Sequence, residues 1–320
     1  MTLETGVMQL DRELPVAAEV SGFSGAASAG FIYRSVSFLG SVRTHPSAVA
    51  GLALIALFVV VALAAPVIAP HPVSELNLAN RFLPPAFLEG GRWNYIFGTD
   101  QLGQDVFSRV LYGARVSIVI GLVSVLISIG IGTVLGSLAG YYRGWADRAL
   151  SRVADLLMAF PYLLFTIFAM AVLGPGIINL ILALSFKAWV EFFRLVRGEV
   201  MAETTREYVD AARILGQKPL VIIVREIFPN IVHSIVVLGT LRLGFMIIME
   251  ASLSFLGLGV PPDIPAWGSM VAAGRDFMLR AWWVSTMPGL AILVLVLGVN
   301  LFGEGLRELS DPRLQMGKGD

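Results

Sequence analysis

The sequence has no cysteine. Disulfide frameworks, thiolate metal sites and cysteine nucleophiles are therefore excluded together. Charge is also scarce: Asp, Glu, Lys and Arg make up 14% of the 320 residues, against about 25% in an ordinary soluble domain. With 56% hydrophobic residues and a mean hydropathy of +0.78, a water-soluble globular chain is excluded. The 23 basic and 23 acidic residues cancel, so nothing electrostatic argues for nucleic acid. The three histidines, His45, His71 and His233, are too scattered for a metal-ligand spacing. A phosphate-binding loop is missing too: the sole Gly-Lys pair, Gly317-Lys318, has Gly319 after it and Pro312 where the motif's first glycine belongs.

What is present is long apolar runs. Six stretches are long enough to cross a bilayer, at 47–69, 116–140, 156–173, 176–193, 231–257 and 283–303. They lack the period-two alternation of a barrel strand, so helices are the expected spans. An even count puts both termini on one side. Residues 1–20 hold Glu4, Asp11, Arg12, Glu13 and Glu19 with no apolar core between them, unlike a secretory signal. Residues 1–45 read as a polar cytosolic segment, with Phe31 to Val42 as a short surface helix.

The segments on the N-terminal side hold fifteen Lys and Arg against six on the other side, which makes the richer side cytoplasmic. The expected organisation is a first span over 46–70, an external loop over 71–115, a core of spans over 116–303 and a cytosolic tail over 304–320. Two external segments, 70–115 and 258–281, are rich in proline, which favours ordered, non-helical entries. In the second span Ser124, Ser128, Gly132, Gly136 and Gly140 recur every four residues, a small-residue stripe that lets another helix approach. That helix is either in the same bundle or in a partner subunit. Trp282 and Trp283 read as an interfacial anchor, and Pro161 and Pro175 as the kink and turn of the third span.

The cytoplasmic loop 202–230 is too polar to span yet is patterned. Thr204 and Glu207 fit a capping box, predicting a helix from about Thr205. Tyr208, Ala211, Ala212 and Leu215 fall on one face, Gly216 supplies a left-handed stop and Pro219 prevents continuation. The expectation is an amphipathic helix of about three turns. A helix lying on lipid headgroups carries bulky apolar anchors; this face is mostly alanine, which suits a protein groove better.

Asp210-Ala211-Ala212-Arg213-Ile214-Leu215-Gly216, followed by Ile227-Phe228-Pro229-Asn230, resembles the "EAA" loop of permease subunits of bacterial ABC importers, with Asp210 where Glu is usual. Three further stretches resemble the C-type permease of the oligopeptide/dipeptide branch: Phe97 to Asp105, with Gln104 in place of the usual Arg; Glu250 to Gly259, running on to Pro261, Pro262, Trp267 and Gly268; and Asn300 to Arg307, with Glu304 in place of Asp, running on to Asp311-Pro312-Arg313. The resemblance implies a type I permease-like bundle of six transmembrane helices in the bacterial inner membrane. It implies that Glu207, Tyr208, Asp210, Ala211, Ala212, Leu215 and Gly216 form a coupling helix seated in a separate ATPase. The implied partners are a second homologous permease, two ABC ATPase subunits and an external solute-binding protein. No cofactor is then bound by this chain, since ATP and magnesium belong to the ATPases. The implied cargo is a di- or oligopeptide.

Ionisable residues inside spans are functional suspects because lipid burial is costly. Lys187 and Glu191 stand one turn apart and either neutralise each other or line a path; Arg242 is expected to face a water-filled path and meet a carboxylate; Glu250 lies nearer the external end of its span. An intramembrane serine protease is disfavoured because His233 sits at a boundary with no Gly-x-Ser-Gly on another span. An ion-coupled secondary transporter acting as a homodimer is the stronger rival. It gives an alanine-faced cytoplasmic helix nothing to do.

Overall fold

The computed structural model describes residues 45–310. The surface helix expected at Phe31 to Val42 lies outside the described residues. The first helix, α1 (Pro46–Ile68), opens on proline, whose fixed φ suits a first helical turn. It packs along the last helix, α9 (Trp283–Ser310), where Gly51 brings backbones together: a Cβ there would stand 2.6 Å from the Gly298 carbonyl oxygen.

The second helix, α2 (Val106–Tyr142), has 37 residues, or about 55 Å. That exceeds a hydrocarbon core of about 30 Å. Asp105 caps it by accepting from the Ser108 N–H at 2.9 Å. The stripe Ser124, Ser128, Gly132, Gly136 and Gly140 is buried, and it is the seam to α5 (Ile177–Glu203) in the same chain. A Cβ on Gly136 would sit 2.8 Å from the Phe193 oxygen and one on Gly140 2.8 Å from the Arg197 oxygen. The Ser185 hydroxyl donates to the Ser124 carbonyl at 3.2 Å. Of the two partners left open by the sequence, the structure selects the helix of the same bundle.

Arg143 and Gly144 both have positive φ, 55° and 73°, and turn the chain sharply into α3 (Gly144–Ala159). Pro161 then separates α3 from α4 (Tyr162–Leu173), and the two meet at 94°. The run 156–173 is therefore not one straight span. Proline cannot donate the backbone bond that would carry α3 onward, and α4 alone, with 12 residues, reaches about 18 Å. The fifth apolar run belongs to α7 (Pro219–Phe255), which starts on a proline well before residue 231 and contains a π-helical turn at Ile222–Ile227. Among the described residues, four helices are long and apolar enough to cross a membrane: α1, α2, α7 and α9. The bent α3–α4 pair makes a fifth if counted as one broken span. Helix α5 is 27 residues long but carries Lys187, Glu191 and Arg194 in its apolar stretch.

At one end of the bundle the chain between α1 and α2 is ordered by polar contacts rather than by long helices. The Thr99 hydroxyl donates to the Asn80 oxygen at 2.5 Å and accepts from the Leu83 N–H at 2.8 Å. Asp100 accepts the N–H groups of Leu102 and Gln104 at 2.8 and 2.9 Å. Burial holds the Asp100 carboxyl above the usual carboxylate range, opposed by these bonds. Trp283 is buried and donates to the Thr99 oxygen at 3.0 Å, so the anchor reading fails for it; only Trp282 is exposed. Trp267, opening α8 (Trp267–Arg275), reaches the Val110 oxygen at 2.9 Å.

Candidate coupling helix and intramembrane charges

At the opposite end, α6 (Glu207–Ile214) lies between α5 and α7. It has eight residues, not three turns. The capping box does not form, because Thr204 closes α5: its hydroxyl donates to the Met201 oxygen at 2.8 Å and accepts from Arg143 at 3.2 Å. Arg206 is the N-cap and offers no side-chain bond. The expected stop does form. Gly216 has φ +75°, and the Gln217 N–H bonds the Ala212 oxygen at 3.1 Å, satisfying a terminal carbonyl.

The expected apolar face is split. Val209 and Ala212 are buried in the main core with Ile222, Ile227 and Ile231, whereas Ala211, Ile214 and Leu215 are exposed. Ile214 and Leu215 are 86% and 79% exposed. Sequence reasoning missed Val209; the i, i+3 pair it makes with Ala212 was the available signal. Tyr208 is turned toward its neighbours. Its phenol donates to the Glu203 carboxylate at the end of α5 and accepts from the Asn230 amide of α7 at 3.2 Å. Partial burial, and then the adjacent Glu203 carboxylate, push the phenol up to about 12. Asp210 pairs with Arg213 at 2.8 Å on the exposed side.

Lys187 and Glu191 do not pair. Pro161 has no N–H for the Leu157 carbonyl one turn earlier, and the Lys187 ammonium takes that oxygen at 2.6 Å together with the Phe160 oxygen. The lysine sits 5.9 Å from the Tyr162 ring centroid and 5.6 Å from that of Phe165. Further along α5, Arg194 pairs with Asp155 at 2.5 Å and Arg197 donates to Asp147 at 2.9 Å. The cations of α5 thus strap α3 along its length.

Arg242 is neutralised within the chain, contrary to the expectation that it waits for an outside carboxylate. It forms an ion pair with Glu191 that joins α7 to α5, with both side chains about 30% exposed, at 30% and 27%. Its guanidinium lies 5.3 Å from the Phe245 ring centroid. Glu250 is wholly buried: its two oxygens accept from the hydroxyls of Ser117 on α2 at 2.8 Å and Ser254 at 2.9 Å. The structure brings Glu191 and Arg242 together and leaves Lys187 and Glu250 in separate settings.

The profile described as "Binding-protein-dependent transport system inner membrane component" matches residues 132–316, more than half of the chain. This chain belongs to that family. A second profile, the N-terminal TM domain of oligopeptide transport permease C, matches residues 38–85, which include α1. Among relatives of this permease, the di/tripeptide transport system permease protein DppC of Pseudomonas aeruginosa strain UCBPP-PA14 is 42% identical over 87% of this chain and 92% of its own length. The glutathione transport system permease protein GsiD of Pectobacterium atrosepticum is 41% identical, over 86% and 89%. The dipeptide transport system permease protein DppC of Haemophilus influenzae is 39% identical, over 85% and 92%. The family is that of type I ABC permeases, so the all-helical bundle, the multi-pass inner-membrane setting and the role of permease subunit in a binding-protein-dependent importer follow. Nothing favours the homodimeric ion-coupled carrier.

Proposed function

We propose that this permease subunit forms half of the path of an ATP-driven importer of di- or oligopeptides, with α6 as the helix through which separate ATPase subunits drive it. The observation that carries the coupling role is the two-sidedness of α6. Val209 and Ala212 fix its back to the bundle, while Ala211, Ile214 and Leu215 leave an apolar front uncovered beside the Asp210–Arg213 pair. Only Ala211 of this front is small, so it is not the alanine face expected from the sequence; what supports a protein groove is an uncovered apolar surface set beside an ion pair on a helix whose back is held by the bundle. The resemblance of Asp210 to Gly216 to the EAA loop supports the same assignment. The excess of Lys and Arg in the segments on this side supports a cytoplasmic placement of α6 and of both termini.

The remaining assembly is a second homologous permease, two ATPases that supply ATP and magnesium, and an external solute-binding protein. The chain itself binds no cofactor and is not catalytic. A peptide cargo is supported by the names of the di/tripeptide and dipeptide relatives; the glutathione relatives carry a peptide-like solute too. Of the four charges Lys187, Glu191, Arg242 and Glu250, we assign the partly exposed edge of the Glu191–Arg242 pair to the path, and Lys187 and Glu250 to architecture.

The test is purification from the native membrane in mild detergent with identification of stoichiometric partners by mass spectrometry. The expected partners are ATPases with phosphate-binding loops and a second permease. Recovery of the chain alone or as a homodimer would contradict the proposal.

A further inference from the structure

Three elements meet at one hydroxyl. The Tyr208 phenol of α6 donates to Glu203, the last residue of α5, and accepts from Asn230 of α7 at 3.2 Å. The Asn230 amide makes a second bond, to the Glu226 oxygen at 2.8 Å. Glu226 lies in the π-helical turn Ile222–Ile227, which ends two residues before Pro229, and that proline lacks the N–H that an unbroken α-helix would give to the Arg225 carbonyl. A π-turn holds one residue more than its α-helical counterpart and occurs frequently at functional sites. The back of α6 rests on this turn, since Val209 and Ala212 pack with Ile222 and Ile227. The apolar contact fixes where α6 sits. It supplies no directional tie, because hydrophobic contact is non-directional and slides more easily than a hydrogen bond. Among the described residues, the side-chain hydrogen bonds from α6 to its two flanking helices pass through Tyr208, while Arg213 makes a separate contact to α2, 5.6 Å from the Tyr141 ring centroid.

We propose that the Tyr208 hydroxyl is a positioning group for transport, acting as the joint that makes α6 move with the ends of α5 and α7 together and so delivers its displacement to both. The proposal rests on the coupling role of α6 given above. It takes Tyr208 out of the ATPase contact surface and places it behind that surface, with Asn230 as its receiver on α7 and Glu203 on α5. Removing the hydroxyl leaves the aromatic ring, the buried Val209 and Ala212, and the exposed Ala211, Ile214 and Leu215 in place. Docking is then separable from transmission.

The experiment uses the full complex, expressed with its own second permease and ATPases in a host lacking other peptide uptake. The probe is an equimolar mixture of dipeptides, whose depletion is followed by mass spectrometry. Tyr208→Phe is expected to keep its membrane level and its full complement of co-purified ATPases while uptake falls at least fivefold. Asn230→Ala is expected to behave alike, and the double variant to be no worse than the worse single one, because both break the same link. Parental uptake in Tyr208→Phe would overturn the joint and leave the coupling role of α6 intact. Loss of the ATPases from Tyr208→Phe would also overturn it, by making Tyr208 a docking residue. A fall in membrane level or thermal midpoint proportional to the fall in uptake would reduce Tyr208 to a folding residue and overturn it as well. Failure of the underlying reading has a different signature: Leu215→Asp would keep both ATPases and uptake.

Discussion

A proline removes one backbone donor, and in this protein a lysine replaces it. The Leu157 carbonyl, left without the N–H that residue 161 would have supplied, is satisfied by Lys187 from the neighbouring helix. In a bilayer no water is at hand to do this. Lys187→Met is therefore expected to destabilise the protein by about 1–3 kcal/mol, read as a lower thermal midpoint in detergent, with Lys187→Arg recovering part of the loss. An unchanged midpoint in Lys187→Met would contradict the role. The sequence showed only Lys187 and Glu191 at helical spacing, which pointed to a mutual pair. The true partners are two carbonyls 30 and 27 residues away, and long-range backbone acceptors leave no mark in a sequence pattern. Glu191 instead answers Arg242 across two helices. Removing either member alone, as in Arg242→Ala, is expected to cost about 1–3 kcal/mol, between the values for exposed and buried pairs. Glu191→Gln with Arg242→Gln is expected to cost less than the sum. Strict additivity in a double-mutant cycle would mean that the pair contributes no coupling.

At the scale of elements, the small-residue stripe of α2 was fully legible. Its period of four fixes one face, and only a close-packed helix needs a face without side chains; what the sequence left open was whose helix. The structure answers with α5, at separations that leave no room for a methyl group at Gly136. Gly136→Val is expected to lower the membrane level of the protein severely, measured by immunoblot of isolated membranes, and a normal level would contradict the seam. Gly216 is a different kind of glycine. A Cβ there meets nothing within 4 Å among the described residues, but its φ of +75° is left-handed. Gly216→Ala is therefore expected to cost only about 1–2 kcal/mol of backbone strain, with membrane level retained and uptake impaired through misdirection of the α6 exit. The helix start was misread for a local reason: a Ser or Thr followed three residues later by Glu is also what a C-terminal residue of one helix and the first residue of the next present when the linker is short. Thr204 and Glu207 are such a case.

For the whole molecule, six apolar runs gave the membrane class and the order of elements, and four separated motifs gave the family. Composition could not show that one of those runs folds as two pieces at 94°, since a proline in an apolar run is compatible with a kinked span or a broken one. Nor could it show that α7 extends back to Pro219 and so carries α6 on its own first turns. Under the coupling role proposed for α6, that continuity matters: a helix braced on two long helices would transmit force to the bundle as a rigid body, and its uncovered front is the surface on which the force would arrive. The most direct test exploits the absence of cysteine. In the assembled complex in native membranes, Leu215→Cys is the only thiol of this chain, on the exposed front of α6. Leu63→Cys, on the exposed face of α1, serves as the control. A short thiol-reactive cross-linker is expected to join Leu215→Cys to an ATPase subunit, with a yield that changes when ATP and vanadate are added, and to leave Leu63→Cys without that product. Equal ATPase cross-linking from both positions, or none from Leu215→Cys in a complex that still contains the ATPases, would contradict the account.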